Sequence, residues 1–413
     1  MGLPEPEDER AREGFREVLE ILFTPEEAAL ACRIPVRPAS LERLAARVGI
    51  PPPELERRLE PMCDKGIVTD LLNPRTGKRT YLLSPPVVGF IEYSLMRAKD
   101  SIPKRRMAQA LEAYTHGDPA FAREVFGRQT VIGRALVHEP ALAEDVPDVL
   151  SFERATEVVG GARRRAVSLC YCRHKSEHLG KACEAPMENC LSLNGGAEFV
   201  IRRGFGREIE KPEALEILAR SRERGLVQIA DNVKSRPAFV CNCCGCCCEQ
   251  LGAVTRFGLP AVNPSGFLPR RRAERCAGCS RCARACPVGA IAMVPHREEG
   301  RLRNALVPTV DEEVCVGCGV CAGACRKGAL SMQRGGRPRP VPASAMERVV
   351  RQAVERNRLA DLLLEDGDGA ASRFLHRAVE ALVRLPPAQA LLAREQVRSR
   401  FVEAAMRRFA RRG

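Results

Sequence analysis

The chain has 413 residues, enough for several domains, and it contains 20 cysteines, no tryptophan and four tyrosines. Its formal net charge of +14 suggests an acidic partner or nucleic acid, but so few aromatic residues argue against a stacking platform for single-stranded nucleic acid. No apolar run of about eighteen residues is present, and the acidic start from Met1 to Gly14 lacks an apolar core. We therefore expect neither membrane insertion nor a secretory signal.

Cysteine usage indicates a compartment. Without a secretory signal, so many cysteines are expected in a reducing cytoplasm, where they bind metal more often than they form disulfides. We therefore expect a cytoplasmic protein, and an anaerobic organism would protect any exposed metal clusters from oxygen.

The first segment, residues 1–90, is predicted to be a winged-helix-like domain. Ser40 caps a short amphipathic helix, and Pro51 opens a second helix. Ile67-Val68 and residues 81–83 then flank a Pro/Gly turn, which predicts a β-hairpin. This spacing resembles winged helix-turn-helix domains.

Charge argues against DNA binding by this domain. A helix that contacts phosphates needs basic residues, yet the second helix is neutral to acidic. Docking to a protein is therefore favoured over DNA, although DNA stays an alternative. Two cysteines in this region, Cys32 and Cys63, lie in apolar sequence and are predicted to be core thiols.

Two segments follow in chain order. Residues 91–160 are predicted to be a helical connector, and residues 161–255 a central α+β cysteine-rich domain. In the latter, residues 166–169 and 238–240 are expected to be short strands that each lead into a cysteine group, and residues 213–224 a helix.

The central domain carries ten cysteines in two dense groups. They are Cys170, Cys172, Cys183 and Cys190, then Cys241, Cys243, Cys244, Cys246, Cys247 and Cys248. Such density in a reduced chain predicts metal binding, and we favour at least one further iron–sulfur centre. The first four cysteines are the preferred ligands, because their spread could enclose a cluster, while the second run could hold another centre or share the first. A zinc site that includes His174 and His178, or a dithiol–disulfide pair, stays an alternative.

Between Glu274 and Met332 one cysteine pattern, C-x2-C-x2-C-x3-C, occurs twice at an interval of 39 positions. The first copy is Cys276, Cys279, Cys282 and Cys286, and the second is Cys315, Cys318, Cys321 and Cys325. Zinc has no use for three evenly spaced cysteines with a displaced fourth. The duplicated motif resembles a bacterial-type ferredoxin with two 4Fe–4S clusters, in which the fourth cysteine of each copy binds the other cluster.

That resemblance implies two ligand sets in a two-cluster ferredoxin domain at residues 256–335. One set is Cys276, Cys279, Cys282 and Cys325, and the other is Cys315, Cys318, Cys321 and Cys286. The sequence departs from the family pattern at Arg326, where a proline is usual. A cation at that position should favour the reduced cluster, since it compensates added negative charge.

The chain is completed by a Pro/Gly/Arg linker and by a predicted helical region at residues 343–413. The expected fold class is thus multidomain α+β, with a winged-helix-like domain, a cysteine-rich domain, a ferredoxin-like domain and C-terminal helices. Taken together, the cysteine regions resemble multi-cluster 4Fe–4S proteins of anaerobic bacteria.

The favoured function is electron transfer between redox partner proteins through the two ferredoxin clusters and a further centre. We expect an electron carrier or an oxidoreductase subunit rather than a standalone enzyme, since no glycine-rich nucleotide-binding motif is present. One alternative is a redox-sensing winged-helix regulator. Another is an iron–sulfur oxidoreductase whose active centre lies at Cys241–Cys248.

Overall fold

The structure is a computed structural model that describes residues 3–73, 76–144, 146, 149–298, 301–336 and 339–359. The helices predicted beyond residue 359 lie outside the described residues. The chain divides into two compact units, which are described separately. One takes its residues from 1–3, 18–94 and 342–413, and the other from 4–17 and 95–341.

The described residues form a mixed α and β protein. The helices are α1 (Glu9–Leu22), α2 (Pro25–Ala31), α3 (Leu41–Val48), α4 (Pro52–Asp64), α5 (Ile91–Tyr93), α6 (Lys104–Gly117), α7 (Pro119–Phe126), α8 (Ala155–Gly160), α9 (Tyr171–His178), α10 (Asn194–Arg202), α11 (Lys211–Glu223), α12 (Glu249–Phe257), α13 (Arg281–Ala285), α14 (Val320–Gly323) and α15 (Ala345–Glu355). The strands are β1 (Ala39–Ser40), β2 (Val68–Leu72), β3 (Arg79–Leu83), β4 (Gly133–Ala135), β5 (Arg165–Leu169), β6 (Glu188–Leu193), β7 (Arg207–Glu208), β8 (Val227–Asp231), β9 (Phe239–Cys243), β10 (Val262–Asn263), β11 (Phe267–Arg271), β12 (Ile291–Glu298), β13 (Arg301–Val310) and β14 (Leu330–Arg334). Within these residues, no helix has both the length and the apolar character needed to cross a bilayer.

In the N-terminal unit, two consecutive helices precede a β-hairpin. Ser40 caps α3 by accepting a hydrogen bond from the amide three residues later. Leu44 on α3 and Leu59 on α4 are fully buried, β2 pairs antiparallel with β3, and β1 pairs with the other edge of β3. The predicted helices and hairpin are therefore confirmed, whereas their assignment as a winged helix stays a prediction. Cys63 is buried as expected, but Cys32 is exposed, so the expectation of a core thiol at Cys32 was wrong.

The predicted helical connector is helical at both ends but contains a strand between them. Helices α6 and α7 are followed by β4, a three-residue strand whose residues are all buried. Asp118 separates the two helices and accepts a hydrogen bond from the amide of Ala120, which caps α7. Strand β4 then enters the large sheet of the second unit.

That sheet has seven strands in the order β10-β4-β8-β9-β6-β5-β7, and all pairs are antiparallel except β10 with β4. It therefore joins residues from 133 to 263 in one structure. On one face, Ala230 of β8 and Val240 of β9 pack with Ile217 and Leu218 of α11. Successive residues of a strand point to opposite faces, and Ile229 of β8 accordingly packs in a different cluster.

The second face of the sheet is covered by the segment that carries the duplicated motif. Val227 and Ile229 of β8 pack there with Val288, Val316 and Val320. The segment itself consists of the antiparallel pairs β11–β14 and β12–β13 with the short helices α13 and α14. The sheet thus holds the two cysteine regions against each other inside one unit.

Candidate metal centres

The two copies of the cysteine motif repeat their backbone as well as their sequence. Gly278 and Gly317, 39 positions apart, have φ angles of 66° and 69°. A Cβ atom at Gly278 would stand 2.7 Å from the carbonyl oxygen of Leu306, and one at Gly317 would overlap the carbonyl oxygen of Phe267. Only glycine combines this left-handed conformation with so close an approach, so both loops are built to turn tightly around their cysteines.

The first ferredoxin cavity has a volume of about 210 Å³ and is lined by four cysteines of the motif. They are Cys276, Cys279, Cys282 and Cys325. Burial raises the pKa of Cys282, and the negative charges of Cys325 and Cys276 add to this effect. The fourth member of this group therefore comes from the second copy of the motif.

The other four cysteines also affect one another. Burial raises the pKa of Cys318 to about 12, and the charges of Cys315 and Cys286 raise it further. The pKa of Cys321 is raised for the same reasons. Cys286, from the first copy, thus lies with the three cysteines of the second copy.

Cys286 and Cys325, which each lie with the quartet of the other motif copy, accept a hydrogen bond at their sulfur atoms. The amide of Ala290 donates to Sγ of Cys286 over 3.2 Å, and the amide of Ala329 donates to Sγ of Cys325 over 3.3 Å. Amide donors stabilise a thiolate and lower its basicity. Two quartets of thiols, each approached by such a donor, fit the demand of a 4Fe–4S cluster for four thiolates.

Four cysteines of the central region form a compact cluster, which we call the four-sulfur group. All its sulfur atoms lie within 4.8 Å of one another, and the members are Cys183, Cys244, Cys246 and Cys247. With metal–sulfur bonds of about 2.3 Å, a tetrahedral ion holds its sulfurs about 3.8 Å apart. In a 4Fe–4S cluster the irons separate the thiolates further, to distances on the order of 6 Å. The four-sulfur group therefore fits a single tetrahedral ion better than a cubane.

Hydrogen bonding and burial give the thiols of this group different pKa values. The pKa of Cys244 is lowered to about 4, first by a hydrogen bond from Cys247 and also by the charge of Arg173. Burial raises the pKa of Cys246 to about 11, although Cys246 is the exposed member of the group. The sulfurs of Cys246 and Cys247 are 3.7 Å apart. The pKa of Cys244 is thus lowered while the pKa values of Cys246 and Cys247 are raised.

The other six cysteines of the central region form a closed circuit of neighbouring thiols, which we call the six-sulfur ring. Each sulfur interacts with two others, and the order around the circuit is Cys170, Cys172, Cys248, Cys243, Cys241, Cys190 and back to Cys170. Four elements supply them: the start of α9, strand β6, strand β9 and the start of α12. Cys170, Cys243 and Cys248 are buried, and the other three are partly buried.

The direction of the pKa shift alternates around the six-sulfur ring. Hydrogen bonds from Cys172 and Cys190 lower the pKa of Cys170, and those from Cys190 and Cys243 lower the pKa of Cys241 to about 5. Cys248 behaves in the same way, with a pKa lowered to about 6 by Cys172 and Cys243. Lowered and raised pKa values therefore alternate from one sulfur to the next around the ring.

Arg173 is the cation that lies between the two sulfur groups. Its side chain is completely buried, and it donates to the carbonyl oxygen of Pro186 over 2.5 Å and to Sγ of Cys244 over 3.6 Å. Burial alone would lower its pKa, yet the charge of Cys170 and hydrogen bonds to Cys183 and Cys244 raise it. Arg173 therefore compensates negative charge in both groups at once.

The two histidines considered as zinc ligands contact other partners. His174 Nδ1 lies 2.7 Å from the carbonyl oxygen of Leu95, and its Nε2 lies 3.1 Å from Nε2 of His178. Both ring nitrogens of His174 thus have neighbours that are not sulfur. Among the described residues, the one compact group of potential metal ligands contains neither histidine.

An ionic network beside the six-sulfur ring was not predicted from the sequence. The buried ammonium group of Lys175 lies 2.7 Å from Glu112 and 2.5 Å from Glu249, the residue after Cys248. His116 also contacts both carboxylates. Burial alone would raise the pKa of Glu249, but Lys175 and His116 lower it to about 2. The network ties α6, α9 and α12 together behind the ring, and only their packing in three dimensions could have revealed it.

Comparison with known families agrees with this geometry. Residues 275–329 match the family described as 4Fe-4S dicluster domain. Neither curated proteins nor solved structures gave a match to the chain. The protein therefore has a ferredoxin-type iron–sulfur domain and carries 4Fe–4S clusters. This makes it an iron–sulfur electron-transfer protein, and a ferredoxin-type domain implies redox partners.

Proposed function

We propose that this chain conducts electrons between a redox partner and a further metal centre in its central region, by way of two ferredoxin-type clusters. Each 4Fe–4S cluster, when bound, takes up and releases one electron at a time. Cys276, Cys279, Cys282 and Cys325 would hold the first cluster. Cys315, Cys318, Cys321 and Cys286 would hold the second.

The observation that carries this proposal is the continuous packing of the cysteine side chains. Cys282 and Cys325 share an apolar cluster with Cys286 and Cys321, which belong to the second quartet. A neighbouring apolar cluster contains Cys286, Cys315 and Cys318 together with Cys243 and Cys248 of the six-sulfur ring. These packed side chains form a continuous series of apolar contacts from the first cavity to the ring.

Exposure and charge indicate where electrons enter the protein. Cys279 is the exposed cysteine of the first cavity, which is also lined by Arg281, Arg326 and Lys327. Positive side chains around an accessible redox site favour encounter with an acidic protein. We therefore propose that an acidic redox partner docks here. This accounts for part of the chain's basic charge without invoking DNA.

The four-sulfur group would contribute a single tetrahedral ion, zinc or iron, to the same domain. Its members come from the loop before β6 and from the tight run between β9 and α12. An ion at this position would join those two segments, which carry ring cysteines on either side. The proposed role of this ion is structural support.

The test is anaerobic electron transfer with a charge-reversal variant. The variant Arg326→Glu/Lys327→Glu should accept electrons from a reduced acidic flavodoxin several-fold more slowly than the unmodified protein at low salt. Raising the ionic strength should reduce the difference in rate between the variant and the unmodified protein, because screening weakens both attraction and repulsion. Arg220→Glu is the matched control, since the Arg220 side chain on α11 is exposed and lies outside the residues that line the cavity.

Two results would contradict the proposal. Equal electron-transfer rates for all three proteins at low salt would show that the partner does not dock at this cavity. If the iron–sulfur signals could not be reduced and reoxidised in single-electron steps, the proposal of electron transfer would be wrong. Operator binding that depends on cluster state would instead favour a redox-sensing regulator.

A further inference from the structure

The six-sulfur ring consists of two arcs of three sulfurs each. In the first arc, Cys170 lies between Cys172 and Cys190, and all three come from the segment α9–β6 and the residue before it. The second arc comes from β9 and the start of α12, with Cys243 between its other two members. The arcs meet at two junctions, where Cys172 neighbours Cys248 and Cys190 neighbours Cys241. Each arc is a set of three ligands from one stretch of chain.

The ring is too open for single metal ions. A shared zinc pair with six cysteines would require several sulfurs to lie about 3.8 Å from one another around each ion. Among the described residues, the one group of at least three potential ligands that is this compact is the four-sulfur group. No three ring sulfurs come together in the same way, although each has two neighbours. The two sites of the central region are therefore built for different occupants.

The ring also offers more ligands than a single cubane uses. A 4Fe–4S cluster takes four thiolates, which would leave two of the six without metal. Every sulfur in the ring has two sulfur neighbours, so no two of them stand out as the ones that a single cubane would leave without metal.

The surroundings favour a large anionic group at this position. Cys170 and Cys248 are the residues that precede α9 and α12, so the positive ends of both helices face the ring. The buried guanidinium group of Arg173 adds a full positive charge beside Cys170.

We propose that the six-sulfur ring binds an iron–sulfur cluster of more than four irons, built from two linked four-iron units. Each unit is held by the three thiolates of one arc, and a bridging sulfide joins the units where neither arc supplies a fourth ligand. This deepens the proposed function, on which it rests for the iron–sulfur chemistry, by identifying the further centre as the six-sulfur ring.

The test is metal and sulfide analysis of the full chain after anaerobic expression, combined with Mössbauer spectroscopy of iron-57-labelled protein. Two ferredoxin clusters and the ring cluster together predict about sixteen irons per chain. Each of six single variants, Cys→Ser at every ring position, should then lose about eight irons while the ferredoxin signals persist. Cys32→Ser is the control, because Cys32 is exposed in the N-terminal unit.

The possible outcomes separate the alternatives. A total near twelve irons, with two of the six variants unchanged, would show an ordinary cubane and overturn the proposal. Zinc in place of the additional iron would overturn it too, as would a ring without metal. If a variant fails to fold, the iron total of the unmodified protein still decides. Loss of the ferredoxin signals in every preparation would instead count against the proposed function, independently of the ring.

Discussion

A Cβ atom on Gly245 would stand 2.5 Å from the carbonyl oxygen of Pro287. Gly245 lies within the cysteine run from Cys241 to Cys248, and Pro287 follows Cys286 of the ferredoxin segment. The central region and the ferredoxin segment therefore meet where no side chain fits. This contact lies beside both the four-sulfur group and the second ferredoxin quartet.

The first prediction concerns this contact. Gly245→Ala should separate the two segments by a few tenths of an ångström or more, since the obstacle is backbone rather than a flexible side chain. Electron transfer from the ferredoxin clusters to the central centre should slow by several-fold, with the iron content unchanged. Stopped-flow reduction, followed at the separate spectral signals, would measure it.

Gly195→Ala is the matched control for that experiment. Gly195 lies in α10, and a Cβ atom there would meet nothing within 4 Å. An equal rate in both variants would show that the Gly245 contact does not limit electron transfer.

The second prediction concerns the exchanged cysteines. Cys325→Ser should damage the cluster held by Cys276, Cys279 and Cys282, because Cys325 lines that cavity. About four irons should be lost or one set of spectral signals altered, while the other cluster is retained. Iron analysis with electron paramagnetic resonance would detect this.

The mirror variant Cys286→Ser should affect the other cluster. If both variants altered the same set of signals, or if Cys325→Ser damaged only the cluster of its own motif, the crosswise assignment would be wrong.

The third prediction concerns the ionic network behind the ring. Lys175→Met should lower the free energy of unfolding by about 3–5 kcal/mol, because it leaves the carboxylates of Glu112 and Glu249 without their buried cation. Lys181→Met removes a cation from Glu112 too, but the Lys181 side chain is 46% exposed. Its cost should be below about 1 kcal/mol. Anaerobic denaturant unfolding of both variants would test the contrast, which similar losses would refute.

The fourth prediction concerns the four-sulfur group. Cys246→Ser should abolish one tightly bound zinc or iron ion per chain, because tetrahedral binding needs all four sulfurs. The ferredoxin signals should remain unchanged. Elemental analysis after extensive dialysis against a chelator would measure the ion, and Cys32→Ser again provides the control. Retention of the ion in Cys246→Ser would exclude this site.

The ferredoxin segment could be anticipated from sequence because its information is local. Three ligands of each quartet lie within seven residues, and the tight turns between them require glycine at Gly278 and Gly317. Short-range signals such as the Ser40 helix cap were predicted correctly for the same reason. Motif spacing and capping depend on neighbours in the chain, which a sequence displays directly.

The grouping of the other ten cysteines depends on strand pairing, which a single sequence does not display. Strands β6 and β9 are neighbours with Leu191 opposite Val240, and this register brings Cys190 and Cys241 to adjacent positions. Cys183, which the sequence suggested as a partner of Cys190, lies in the preceding loop and joins the four-sulfur group instead. Strand β4 was missed within the predicted helical connector, because three residues give too little periodicity to recognise.

The exchange of cysteines between the two motif copies has a consequence for synthesis of the chain. Since Cys325 lines the same cavity as Cys276, the first cavity lacks part of its wall until the ribosome has passed residue 325. The second quartet likewise needs Cys286 from the earlier copy. With the ligand sets proposed above, neither half of the segment holds four thiolates for a cluster by itself, so we expect iron delivery to wait for a polypeptide that already contains both copies.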